Sequence, residues 1–275
     1  MTHRSPFLMT ALLIGIAFLY VPIIVLIGYS FNASAIAGVW GGLSTQWYFA
    51  LLDDRLLRQA AWLSVEIATA ASSSSLVLGT LVAIALVRFE RFPGRFLLTG
   101  MVNSPLVMPE IVTGITQLLL FVSMLRLIGW PTRGTTTVVL SHIVFCTAYV
   151  SVTVQSRLAS ADRALEEAAM DLGARPYQAF LDITLPIIAP ALISSWLLSF
   201  TLSLDDVVIS SFVAGPRAST LPMVIYSRVK LGISPDVNAL ASLIVAVSGT
   251  VIVAASIWLR KAERRREAET LLAGR

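Results

Sequence analysis

Long apolar runs alternate with short polar pieces along this chain. They extend from about Phe7 to Phe31, Ala61 to Arg88, Phe96 to Leu125, Thr136 to Ser156, Pro186 to Val213 and Asn238 to Leu259. Each is about 20 residues or longer, the length at which a helix crosses a bilayer. A transmembrane barrel would instead show short alternating segments. The pattern therefore predicts an all-α polytopic membrane protein of about six transmembrane helices, organised as one transmembrane domain over residues 1–275.

Departures from apolarity give each run its detail. The first follows a short basic start at Arg4, and Ala33-Ser34-Ala35 imitates a signal-peptidase site. Its apolar stretch is nevertheless well beyond the usual signal core of about 7 to 15 residues, so the run is expected to stay as an anchor. The connection from Phe31 to Ala60 holds Gly41-Gly42 and Trp47-Tyr48, aromatics suited to an interfacial belt. Small residues from Ala70 through Ser75 suit close helix packing. The third run is interrupted by Pro105 and Pro109, whose missing donors leave carbonyls that need protein or water, so this helix is expected to border a cavity. His142 reads as a packed, hydrogen-bonded residue and Cys146 as a small apolar one. Residues 215–235 read as a polar loop, and the chain ends in a basic tail.

One polar piece has a pattern of its own. From about residue 162 to 185, Leu165, Ala168, Ala169 and Leu172 recur at helical spacing on one face, while Glu166, Glu167 and Asp171 point elsewhere. Ser160 or Asp162 can cap this short amphipathic helix, Gly173 can end it in the left-handed conformation, and Pro176 suits the first turn of a second helix. At about 15 Å it is half as long as a span, so it lies at the surface. Its alanine face fits either packing on its own protein or seating in a groove of another.

Composition sharpens the class. At 56% hydrophobic and 13% charged residues, with mean hydropathy +0.81, the chain is too apolar for a soluble domain of this size. One cysteine excludes an internal disulfide framework and a cysteine metal cluster. With the amino terminus inside, Arg4, the Arg88/Arg91/Arg95 turn, Arg157, Arg163, Arg175 and the basic tail fall in the cytoplasm, the larger part of the 20 Lys and Arg. The positive-inside rule therefore predicts cytoplasmic termini, and a cytoplasmic 162–185 segment.

Absent motifs narrow the function classes. No G-x-x-x-x-G-K-[ST] loop occurs, so any ATP hydrolysis belongs to another subunit. Nor is there an H-E-x-x-H pair, a G-x-S-x-G elbow or a G-x-G-x-x-G turn. No catalytic residue, metal site, cofactor or nucleic-acid partner is expected. A secondary transporter is the rival, since broken helices and intramembrane acids occur there too; six spans without an obvious internal repeat weigh against it.

Glu167, Ala168, Ala169, Gly173, Ile183, Leu185 and Pro186 resemble, position for position, the EAA signature of permease subunits in binding-protein-dependent ABC importers. The resemblance implies a type I importer fold in the bacterial inner membrane, with this segment as the coupling helix docked on a cytoplasmic ATPase subunit. Phe200 to Phe212, Gly215-Pro216, Thr220-Leu221-Pro222 and Ser104 to Glu110 are similar to the polyamine branch, above all to second permease subunits of putrescine importers, with spermidine/putrescine systems the near alternative. Implied partners are a second permease subunit, ATPase subunits and a periplasmic polyamine-binding protein, besides membrane lipid.

Carboxylates at span depth cost about 2.5 to 3.5 kcal/mol and need a partner, a proton or water. Glu110, Asp205 and Asp206 are thus candidate contacts for a cationic substrate, with Trp196 and Tyr226 as cation-π partners. Counting along the spans puts Glu110 near mid-depth and the Asp pair further out. Adjacent helical residues diverge by about 100°, so both aspartates face one pathway only if the helix unwinds there. The competing expectation is that these acids pair with arginines such as Arg126 or cap helix ends.

Overall fold

A computed structural model describes residues 6–36, 38–89, 91–231, 235–246 and 250. Its helices are α1 (Pro6–Ser30), α2 (Gln46–Asp53), α3 (Arg55–Arg88), α4 (Arg95–Val107), α5 (Glu110–Ile128), α6 (Thr135–Ala159), α7 (Ala164–Asp171), α8 (Pro176–Ala179), a π turn (Phe180–Thr184), α9 (Leu185–Asp205), α10 (Val208–Val213) and α11 (Leu221–Leu231), then α12 (Pro235–Ala246). Five are long and apolar enough to cross a membrane among the described residues: Met9–Ser30, Arg55–Arg88, Glu110–Ile128, Thr135–Ala159 and Pro176–Asp205. The sixth expected span begins in α12, and most of it, with the basic tail, lies outside the described residues.

The chain divides into two compact units, one of residues 56–226 and the other of residues 1–55 with 227–275. In the second unit, α1 is apolar all round and exposes nearly its whole length, as a helix surrounded by hydrocarbon does. The connection after it is pinned rather than loose. Asn32 donates to Val39 O (2.6 Å) and accepts from Gly41 N–H (2.7 Å). Trp47 donates to Asn32 O (2.7 Å), and the Tyr48 hydroxyl meets that of Ser30 (2.6 Å). Arg228 bridges Asp54 and Asp236. The expected loop over 215–235 contains a helix, α11.

In the unit of residues 56–226, small residues set the packing. Ala68, Ser72, Ser75, Gly79 and Ala83 are buried at helical spacing along α3. At Gly79 a Cβ would lie 2.6 Å from the Val150 side chain, so only glycine allows this approach of α3 to α6. One core cluster gathers Ile67, Phe121, Val138, Phe145, Cys146, Ile209 and Val213. A second gathers Ala83, Val150, Val154, Leu158 and Ile188. Cys146 is a buried apolar residue, as its setting predicts.

Two of the expected spans are broken. The run from Phe96 to Leu125 is two helices, because Pro109 has no N–H to give and holds Met108 in an extended conformation (φ −77°, ψ 138°). Pro105, by contrast, is carried inside α4. The run from Pro186 to Val213 stops at Asp205, and Asp206 is extended (φ −65°, ψ 124°) before α10 starts. Ahead of Pro186, which cannot donate to its own turn, the chain widens into the π turn, where Leu185 N–H reaches back five residues to Phe180 O.

Candidate functional site

The helices that follow the two breaks pack on each other. Gly114 packs so closely on α10 that a Cβ there would come within 2.6 Å of Phe212 and 3.4 Å of Ile209 Cα. Glu110 precedes Gly114 by one helical turn on the same face, and Asp205 precedes Ile209 by four residues. The carboxylates therefore each stand four residues ahead of this contact in their own segment.

The paired aspartates have different surroundings. Asp206 is turned inward: its Oδ1 accepts from Ile209 N–H (3.2 Å) and its Oδ2 from Ser210 N–H (2.8 Å), which caps α10. His142 Nε2 is 3.2 Å from Oδ2 of the same carboxylate and 3.1 Å from Ser210 Oγ, while its Nδ1 is 2.6 Å from Ser203 Oγ. A proton on Nε2 satisfies all of these, with Ser203 donating to Nδ1. The side chains of His142 and Asp206 are 1% and 6% exposed. The other end of α10 is closed by Arg133, which donates to Phe212 O and Ala214 O, and by Thr137, which donates to Val213 O. A six-residue helix is thereby capped at both ends in a low-dielectric setting.

Asp205, at the last turn of α9, is exposed, as is Glu110 at the first position of α5. Among the described residues Glu110 forms no ion pair, and Arg126 is not the partner of any of these acids. Its place in the first turn of α5 puts it at a positive helix end. Trp196 is not brought to the acids: it precedes Asp205 by nine residues, about 13 Å along α9, donates to Ser73 Oγ (3.2 Å) and stacks on Phe200 at 5.4 Å. Tyr226 is half exposed on α11. Sequence reasoning passed over Glu66, an exposed carboxylate in α3 next to the core residue Ile67; an acid inside an apolar run is signal enough to find it. It also missed the union of His142 with Asp206, which stand 64 residues apart on different elements.

The segment from 162 to 185 has an inverted polarity. Asp162 Oδ1 accepts from Ala164 N–H (2.9 Å) and starts α7; Gly173 (φ +93°) ends it in the left-handed region, and Pro176 opens α8. No residue of α7 is buried. Its apolar face looks outward, with Leu165 50% and Leu172 91% exposed. Ala168 and Glu167 are exposed and Ala169 half-buried, while Glu166 turns inward to Arg88 and Thr184. Packing of the apolar face on its own protein, one of the two sequence readings, is thus not what the fold adopts. Ile183 and Leu185 are half-buried around the π turn, and Pro186 is exposed.

Residues 75–267 match the family described as binding-protein-dependent transport system inner membrane component. The chain is 51% identical over 264 residues to the putrescine transport system permease protein PotI of Escherichia coli strain K12, covering 96% of this chain and 94% of the relative. It is 43% identical over 244 residues to the spermidine/putrescine transport system permease protein PotC of the same strain, covering 89% and 90%. Among solved structures, a bacterial ABC transporter involved in the import of the acidic polysaccharide alginate aligns with TM-score 0.70 at 17% identity, covering 94% of this chain and 99% of that one. A chain of the MetNI methionine ABC transporter aligns with TM-score 0.60, covering 75% and 95%. At such identities the structural likeness speaks for the fold alone.

Proposed function

The chain belongs to the family of binding-protein-dependent transport system inner membrane components, and from that premise we propose that it is the permease subunit of an ABC importer carrying polyamines, with putrescine the principal substrate. It is a multi-pass inner-membrane protein and a transporter rather than a catalyst. Extensive identity to putrescine and spermidine/putrescine permeases supports the substrate class. The observation that carries the reading is that α5 and α10, the helices that follow the two breaks, pack on each other, with Glu110 and Asp205 exposed four residues ahead of that contact. A diammonium ion has a charge at each end and an apolar middle, so two separated carboxylates on apolar walls complement it.

In this reading Glu110 and Asp205 contact the substrate, Asp206 holds the site in shape, and Trp196 and Tyr226 are aromatic contacts further along the route. The outward apolar face of α7 supports its role as the coupling helix, with Glu167, Ala168, Ala169 and Gly173 forming the docking surface for an ATPase subunit and Ile183, Leu185 and Pro186 leading into α9. A second permease subunit, ATPase subunits and a periplasmic polyamine-binding protein complete the assembly. The basic residues that flank α7 support cytoplasmic placement of this segment and of both termini.

Uptake of labelled putrescine and spermidine, in competition, by cells with and without this gene tests the proposal. Saturable putrescine uptake that depends on the gene is expected. Uptake indifferent to the gene for both polyamines would overturn it.

A further inference from the structure

Glu166 stands where three elements meet. The carboxylate Oε1 accepts from the guanidinium of Arg88, the last residue of α3, and from the hydroxyl of Thr184, the last residue of the π turn. Arg163, one turn earlier, donates from Nη2 to Val87 O at 3.0 Å. The segment around α7 thereby grips the final turn of α3 with two side chains and satisfies a carbonyl that a helix end leaves orphaned. Arg88 and Glu166 are 17% and 22% exposed, so most of their charge is withdrawn from water. Thr184 is 1% exposed, and Ile188, one turn further, is part of the core with Ala83 of α3. Neighbouring glutamates divide the work: Glu167 faces out, and Glu166 faces in.

We infer that Glu166 is the positioning residue that passes movement of α7 to the membrane helices, by fixing it at once to the end of α3 and to the start of α9. The inference rests on the docking role proposed for α7 and deepens it. A push on α7 that is not tied to α3 and α9 would rotate the small helix about its glycine hinge. Tied through Glu166, it moves two long helices, and α9 ends at the Asp205–Asp206 break, about 30 Å away. Charge is required as well as shape, because one carboxylate oxygen accepts both donors, whereas a carboxamide turns a donor toward one of them or loses the charge facing Arg88.

The full complex, reconstituted in vesicles with its ATPase subunits and binding protein, tests this by the ratio of putrescine taken up to ATP hydrolysed. In Glu166→Gln, bound ATPase and hydrolysis should stay within about twofold of the unmodified complex while the ratio falls about tenfold. Arg88→Gln should do the same, and the double variant should be no worse than either single one, as for two residues acting through one contact. An unchanged ratio in Glu166→Gln, or losses that multiply in the double variant, would overturn the inference. Should these variants accumulate poorly, Thr184→Val removes one donor and keeps the ion pair; a ratio about threefold lower at normal protein level supports the clamp, and an unchanged one counts against it. Leu172→Asp separates the two ideas: ATPase retained by that variant overturns the docking role, whereas the clamp is judged by the ratios alone.

Discussion

His142 Nε2 lies 3.2 Å from the carboxylate of Asp206, and both side chains are almost wholly withdrawn from solvent. The pair joins α6 to the break between α9 and α10, and the same carboxylate caps α10. Asp206 is therefore held by structure, whereas Asp205 beside it is exposed.

Replacing Asp206 with Ala is expected to lower the amount of folded protein and its melting temperature, through loss of a cap worth about 1 kcal/mol and a buried histidine left with an unmet donor at about 1 to 3 kcal/mol. Asp205→Asn should leave level and melting unchanged and raise the KM for putrescine. Fluorescence-detected thermal unfolding and uptake kinetics on the two variants decide it; the reverse pattern would exchange the roles.

Gly173 has φ +93° with open space around its Cβ position, so strain in the backbone, not crowding, opposes a side chain. Gly173→Val should cost about 1 to 2 kcal/mol locally and rotate α7 against α8. Uptake is expected to fall while membrane insertion persists. Full uptake with normal ATPase association would refute the docking angle as the reason for this glycine.

Leu172 is 91% exposed on the apolar face of α7. Burying a leucine contributes about 1.5 to 3 kcal/mol, so Leu172→Asp should weaken retention of the ATPase subunit about tenfold or more, without loss of permease from the membrane. Co-purification at graded detergent-wash volumes reads the effect.

Gly79→Val tests the small-residue seam. Its Cβ would meet Val150 at 2.6 Å and Ser151 N at 3.0 Å, and overpacking of this kind costs about 1 to 3 kcal/mol. Gly100→Val, where nothing lies within 4 Å, is the matched control and should melt near the unmodified protein. Equal melting of the two variants would contradict the packing of α3 on α6.

Much of this protein is written in local pattern. Runs of apolar residues specify helices because every backbone group in hydrocarbon must find its partner within the same segment. Proline punctuation at Pro109 and Pro176, the left-handed Gly173 and the cap at Asp162 act over one turn of chain, and each is where sequence reading puts it. The family signature from Glu167 to Pro186 is likewise contiguous.

What tertiary structure decided is how distant segments meet. Nothing near Asp206 announces His142, which is 64 residues away, and periodicity alone leaves open whether the apolar face of α7 packs on its own protein or seats in another. Here the ion pair of Glu166 with Arg88 decides which way that helix faces, because a carboxylate largely withdrawn from water must keep its donors, whereas an apolar face at the surface can be covered by another protein. The approach of α5 to α10 has the same kind of origin. It is set by Gly114 against Ile209 and Phe212, a contact between helices whose positions no single stretch of sequence contains.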